Sequence, residues 1–198
     1  MLSIVLVILA SYLLGSVSGS ILVGKIKKVD IRAMGSGNAG GTNAFRTQGF
    51  LFAFPVIIID IGKGFVATHY FSTITFLSSQ NLLPSDLIPL LCGCAAVLGH
   101  CYPAFHGFQG GKGAGTAIGM LISVFPQTLL PAIGIWILTL ILTGYVGLGT
   151  MLAGFTVAVT ANFFPPENSN LYLNEISLAL MLFLIFTPSF SLVLGKGD

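Results

Sequence analysis

Two glycine-rich segments carry the residue types best suited to handling an anion. The first reads Gly35-Ser-Gly-Asn-Ala-Gly-Gly-Thr-Asn-Ala-Phe-Arg46, and the second reads Gly99-His-Cys-Tyr-Pro-Ala-Phe-His-Gly-Phe-Gln-Gly-Gly-Lys-Gly113. Runs of small residues let backbone N–H groups converge on phosphate oxygens, and Ser36, Thr42 and Asn43 add side-chain donors to the first run. Arg46 brings a permanent charge on a bidentate fork. In the second run, Gly110-Gly111-Lys112-Gly113 leads into an apolar stretch. A helix beginning there would place the Lys112 ammonium beside the positive end of the helix dipole, and two positive features in one place call for an anion.

Other readings of these residues are bland. Gly35 to Gly40 fits the G-x-G-x-x-G dinucleotide fingerprint only formally, because no strand precedes it. The second run is not a Walker A motif, since it lacks the earlier glycine and the following Ser or Thr. The glycines could instead serve tight turns and close helix packing, and Lys112 could simply snorkel to the membrane edge. His100 and His106 are the residues a general base would need, yet neither has a carboxylate nearby in sequence. Asp60 and Lys63, three residues apart in an apolar run, share one helix face and read as a structural ion pair, with contact to substrate or to the phosphate loops as the alternative.

The elements that must position these groups lie in lipid. The chain of 198 residues is 55% hydrophobic and 7% charged, with a mean hydropathy of +0.96, which leaves too little polar surface to coat a soluble domain. We expect an all-α, polytopic membrane protein forming one domain over residues 1–198. The expected spans are seven, at about 2–24, 50–71, 87–99, 113–126, 129–143, 149–164 and 175–194. The first is read as a retained helix rather than a signal peptide, having no basic residue ahead of it. The fourth is short, so a tilted helix or a re-entrant pair with the fifth both fit.

Orientation follows from charge. Lys25, Lys27, Lys28, Arg32, Arg46, Lys112 and Lys196 are seven of the eight basic residues, and all fall in alternate loops or the C-terminal tail. The opposite loops hold Asp86, Glu167 and Glu175 and nothing basic. The glycine-rich loops and the C-terminus are therefore expected in the cytoplasm and the N-terminus outside. A net charge of +2 gives no reason to expect nucleic acid. Cys92, Cys94 and Cys101 have no matching cluster at zinc spacing, so they are expected as buried thiols, with no metal site and no cofactor.

The first segment resembles the Gly-Ser-Gly-Asn-x-Gly-Ala-Thr-Asn-x-x-Arg signature of the PlsY family, the bacterial acyl-phosphate:glycerol-3-phosphate acyltransferases. The second resembles that family's Gly-His-x-x-Pro-x-Phe-x-x-Phe-Lys-Gly-Gly-Lys-Gly signature, and Asp60-x-x-Lys63-Gly64 between them matches as well. The resemblance implies seven membrane helices in the bacterial cytoplasmic (inner) membrane and a cytoplasm-facing site. It also implies acyl transfer from acyl phosphate to the 1-hydroxyl of glycerol 3-phosphate, giving 1-acylglycerol 3-phosphate for phospholipid synthesis. No cofactor is implied, and a peripheral synthase would supply the acyl phosphate. Carried over by position, the first motif offers Ser36, Gly37, Asn38, Thr42, Asn43 and Arg46. The second offers His100, Gly110, Gly111, Lys112 and Gly113. Ser36, Arg46 and Lys112 are the expected catalytic set, and the others are expected to bind substrate phosphate.

Three positions depart from the family pattern. Gln109 replaces a lysine, and Gly147 stands where a serine is usual in Tyr-Val-Ser-Leu. The C-terminal His-Arg-x-Asn-Ile-x-Arg-Leu motif is replaced by Ile185-Phe-Thr-Pro-Ser-Phe-Ser-Leu-Val-Leu-Gly195. A divergent or silent paralogue and a phosphorylated-metabolite transporter are the competing classes, although transporters usually place their site at the bilayer midplane.

Overall fold

A computed structural model describes residues 2–76 and 87–164. Every element among them is helical, and they group into two compact units divided after Met120. The expected seventh span and the altered C-terminal segment lie outside the described residues.

The first unit begins with a correction. The apolar run expected as one helix over 2–24 is two, α1 (Leu2–Gly15) and α2 (Gly19–Lys27), meeting at a 41° bend. Gly15-Ser-Val-Ser-Gly19 interrupts the apolar run with small polar residues, the composition of a turn. Ser18 restarts the helix as its N-cap, its hydroxyl accepting from the Ile21 N–H. The break leaves backbone groups at Val17 and Gly19 in need of partners, and their source fixes the site described below.

A loop then leads to α3 (Gly41–Gln48) and α4 (Phe50–Val66), which continues through a π-helical turn at Ala67–Phe71 into α5 (Ser72–Phe76). The stretch Phe50–Ile74 is long and apolar enough to cross a bilayer. Val23, Ile31, Ala44, Phe52, Ala53 and Val56 form a buried cluster where α2, α3 and α4 meet. α6 (Leu87–Cys101) packs along α1, and with the turn that follows it is also of spanning length. Close approach explains that pairing. A Cβ on Gly15 would strike the Ala96 backbone, and one on Gly99 would strike the Tyr12 carbonyl, so only glycine lets these helices touch along their backbones.

α7 (Ala114–Val124) has 11 residues, hence a length of about 16 Å, well short of the ~30 Å hydrocarbon core. It lies against α4, where Gly119 leaves no room for a side chain beside the Ile61 carbonyl. The expectation of a fourth helix over 113–126 thus meets a real but short one.

The second unit contains α8 (Leu129–Thr143) and α9 (Val146–Phe163), packed as an antiparallel pair. Pro126–Thr143 and Val146–Phe163 each reach spanning length. Gly144 ends α8 at φ 73°, in the left-handed region that suits a helix C-cap. The described residues hold four helices of spanning length, or five if α1 and α2 count as one broken span, together with the shorter α7.

Candidate active site

The first glycine segment is organised by one buried side chain. Asn43 sits in the first turn of α3 and is 2% exposed. Its Nδ2 donates to the carbonyls of Ile31 (3.2 Å), Met34 (3.0 Å) and Asn38 (3.0 Å), and its Oδ1 accepts from the Ser36 N–H at 3.1 Å. Two amide hydrogens thus reach three carbonyls, so sharing is required, and the carboxamide is fully engaged by the loop itself. Gly35 and Gly37 adopt positive φ (55° and 72°), which lets the chain fold back over this side chain. Ser20 adds a tie from α2, donating to the Ala39 carbonyl at 3.0 Å.

The latch leaves the edge of the loop available. Ser36 and Gly37 are exposed, and Asn38 and Thr42 are half-buried. Gly40 precedes α3 in an extended conformation and no side chain caps that end, so the first N–H groups of the helix point outward as donors. Arg46 lies in the last turn of the same helix and is exposed. Arg32 is committed elsewhere, holding Asp30 through Nε (3.1 Å) and Nη2 (3.0 Å). That guanidinium keeps the Asp30 carboxyl below its ordinary range, while hydrogen bonding to Asp30 raises Arg32 further.

The second glycine segment hangs from α1 and α6. The Tyr12 hydroxyl donates to the Tyr102 carbonyl at 2.7 Å, and the Ala104 N–H donates to Ser16 Oγ at 3.2 Å. After a 3-10 turn at Ala104–His106 the chain passes Phe108, a non-glycine residue at φ 59°, and reaches Gly110. The Gly111 N–H donates to the His100 carbonyl at 3.1 Å, and a Cβ on Gly111 would collide with His100 Nε2. His100 therefore grips Gly111 by its backbone and meets it with its ring. Lys112 is half-buried, Gly113 turns at φ 81°, and α7 starts at Ala114. His106 stays half-buried in the turn that follows α6.

Behind this segment lies a buried ionic centre. Lys63 Nζ is 3.0 Å from Asp60 Oδ1, with side chains 3% and 4% exposed, so the pair read from the i,i+3 spacing is present. Sequence spacing did not show its wider reach. Lys63 Nζ also donates to the Val17 carbonyl at 2.7 Å and lies 2.8 Å from His100 Nδ1. The Gly19 N–H points to Asp60 Oδ1 at 3.4 Å. Asp60 Oδ1 lies 3.4 Å from His100 Nδ1, and the Lys63 ammonium is closer to both, at 3.0 Å and 2.8 Å. The bend between α1 and α2 thus frees two backbone groups to meet a charge pair on α4. Cys92, Cys94 and Cys101 are buried free thiols, and among the described residues no three His, Cys, Asp or Glu groups gather as metal ligands.

Comparison with known proteins places this arrangement. The family model described as glycerol-3-phosphate acyltransferase matches residues 5–192. A protein of Chlorobium limicola named glycerol-3-phosphate acyltransferase is 45% identical over 162 residues, covering 77% of this chain and 67% of its own length. The same-named protein of Chlorobium luteolum is 43% identical over 159 residues with the same coverage. Among solved structures, the integral membrane glycerol 3-phosphate acyltransferase PlsY in its glycerol 3-phosphate form aligns with a TM-score of 0.76 at 29% identity. That alignment covers 99% of this chain and 94% of that one. Its lysophosphatidic acid form aligns at 0.75 and 30% identity, with the same coverage.

Proposed function

This chain belongs to the glycerol-3-phosphate acyltransferase family, and on that premise we propose that it acylates the 1-hydroxyl of glycerol 3-phosphate with acyl phosphate as donor. The observation that carries the reading is the match, over nearly the whole chain, to a PlsY structure named for its bound glycerol 3-phosphate.

The chemistry asks little of the protein. Acyl phosphate is a mixed anhydride whose leaving group is phosphate, so no covalent enzyme intermediate is needed. The substrate hydroxyl oxygen attacks the acyl carbon, the bond from that carbon to the phosphate oxygen breaks, and the hydroxyl proton passes to a phosphate oxygen. The products are 1-acylglycerol 3-phosphate and inorganic phosphate. What remains is to hold two anions in register and stabilise the charge that develops on the carbonyl oxygen.

Ser36, Gly37, Asn38 and Thr42, with the uncapped start of α3, suit the cradling of the donor phosphate. Lys112 and Arg46 suit the phosphate of the acceptor, with Gly110, Gly111 and Gly113 giving it room. Asn43, its carboxamide fully engaged, serves by shaping the cradle. The acyl chain would lie among the helices or in lipid. The excess of basic residues in these loops supports a site at the cytoplasmic face of the bacterial inner membrane, with the N-terminus outside, where a peripheral synthase would deliver acyl phosphate.

The test is direct. Purified protein in nanodiscs, given acyl phosphate and labelled glycerol 3-phosphate, should form 1-acylglycerol 3-phosphate and release one phosphate per product. Hydrolysis of acyl phosphate with no acylated product across a panel of phosphorylated and free alcohols would overturn the proposal.

A further inference from the structure

The surroundings of Lys63 decide where His100 keeps its proton. An ammonium group has three N–H donors and no acceptor. Three acceptors converge on Lys63 Nζ: Asp60 Oδ1 at 3.0 Å, the Val17 carbonyl at 2.7 Å and His100 Nδ1 at 2.8 Å. If His100 carried its proton on Nδ1, its acceptor would be Asp60 Oδ1 at 3.4 Å, while a Lys63 N–H would face that Nδ1–H at 2.8 Å with no acceptor of its own. Protonating both ring nitrogens would set a second cation against the first in a buried site. The arrangement closes without a leftover donor only if Nδ1 is an acceptor, which leaves the single proton on Nε2.

The other end of the ring has a defined target. Nε2 faces Gly111, at a spot where any side chain would collide with it, and the backbone of Gly111 is already bound to the His100 carbonyl. His100 is 4% exposed, so it has no freedom to turn elsewhere. We infer that Lys63 and Asp60 are positioning residues that fix the neutral Nε2–H form of His100 and aim it, as a hydrogen-bond donor, at the Gly110–Gly113 turn.

This gives a physical reason for keeping two charges inside lipid. A buried pair is weak as a source of stability, since desolvation offsets much of its attraction. Here the pair collects the backbone groups freed by the α1–α2 bend and sets the tautomer of a ring 37 residues away in sequence. With its proton on Nε2, His100 can donate to a phosphate oxygen or an oxyanion held in the turn, and it cannot take a proton there as a base. The catalytic consequence rests on the function proposed above; the tautomer does not.

The full-length protein in nanodiscs, carrying nitrogen-15 histidine, allows the test. Two-bond proton–nitrogen correlations distinguish the tautomers, and loss of one signal set in His100→Gln identifies His100 among the three histidines. Neutral Nε2–H at pH 7 is the expected result, and Nδ1–H or an imidazolium would overturn the inference. Two folded double variants then separate positioning from packing. Asp60→Leu with Lys63→Met should lose the tautomer bias and lower kcat by about 100-fold with little change in KM. Asp60→Asn with Lys63→Gln keeps an N–H aimed at Nδ1, so it should hold the tautomer and recover at least ~10-fold of that loss. Equal activity in the two variants would show that the pair only packs. Should the apolar variant fail to fold, the tautomer in the unmodified protein and in the Asn–Gln variant still decides. An intact protein with locked Nε2–H but no acyl transfer would remove the proposed function and leave this inference standing.

Discussion

The two glycine turns are held by opposite means. The Gly35–Gly40 turn is shaped by Asn43, whose partners all lie within 12 residues of it, so this cradle is local and neutral. The Gly110–Gly113 turn rests on His100, which rests on Lys63 from α4, which reaches back 46 residues to Val17. That second support is long-range and charged. A local latch can form as soon as α3 does, whereas the ionic centre exists only after α1, α4 and α6 have met. Damage to the first should stay near α3, and damage to the second should spread to every helix sharing the centre.

The largest effect is expected from removing the charge that the second turn presents. Lys112→Ala should lower acyl transfer by about 100- to 1000-fold, the scale of losing a donor to developing charge. Full activity in that variant would take Lys112 out of the mechanism.

A smaller effect is expected from the local latch. Asn43→Ala should loosen residues 31–38 by about 1–3 kcal/mol in hydrogen exchange and cost about 10- to 100-fold in kcat, leaving exchange in residues 100–113 unchanged. Loosening of both turns together would show that they form a single structural unit.

Sequence reasoning reached the first turn far better than the second. The glycine spacing, the donors of Ser36 and Thr42, and the Asp60–Lys63 pair all follow from local periodicity or turn chemistry. Asn43 was legible as a polar residue in the right loop, but its role as a latch depends on the chain folding back at Gly35 and Gly37. His100 was legible only as a histidine without a nearby carboxylate, because its partner Lys63 lies on another helix. The bend after Gly15 escaped a span count based on apolar length, although the small polar cluster from Gly15 to Gly19 marks it. An apolar count likewise extends α7 beyond what its ends support, since Gly113 and Pro126 bound a helix of 11 residues.

The segment from Ile185 to Gly195 lacks the His and Asn ligands that the family resemblance leads one to expect. Half-saturation by glycerol 3-phosphate should therefore need at least ~10-fold more substrate than in a motif-complete relative, the cost of one lost bond of about 1.4 kcal/mol. Equal half-saturation would mean that residues such as Lys112 and Arg46 compensate.

The smallest effect belongs to Asp30, at the rim of the first turn. Its carboxyl is held below its ordinary value of 3.8 by Arg32, so the pair contributes stability above that value and loses it as pH falls through the lower, folded one. Because both groups are exposed, the contribution is under about 1 kcal/mol. Asp30→Asn should slightly lower the thermal midpoint at neutral pH and converge with the unmodified protein in strong acid. A difference that grows on acidification would contradict the sign.

The central claim is that two turns held so differently serve one reaction centre. A double-mutant cycle on kcat/KM with Arg46→Ala and Lys112→Ala tests it most directly. If both cations act on the same transition state, the double variant should lose at least ~1 kcal/mol less than the sum of the single losses, because removing either one already disables the step. Losses that add to within about 0.3–0.5 kcal/mol would mean that Arg46 and Lys112 act independently, and the shared site would be wrong.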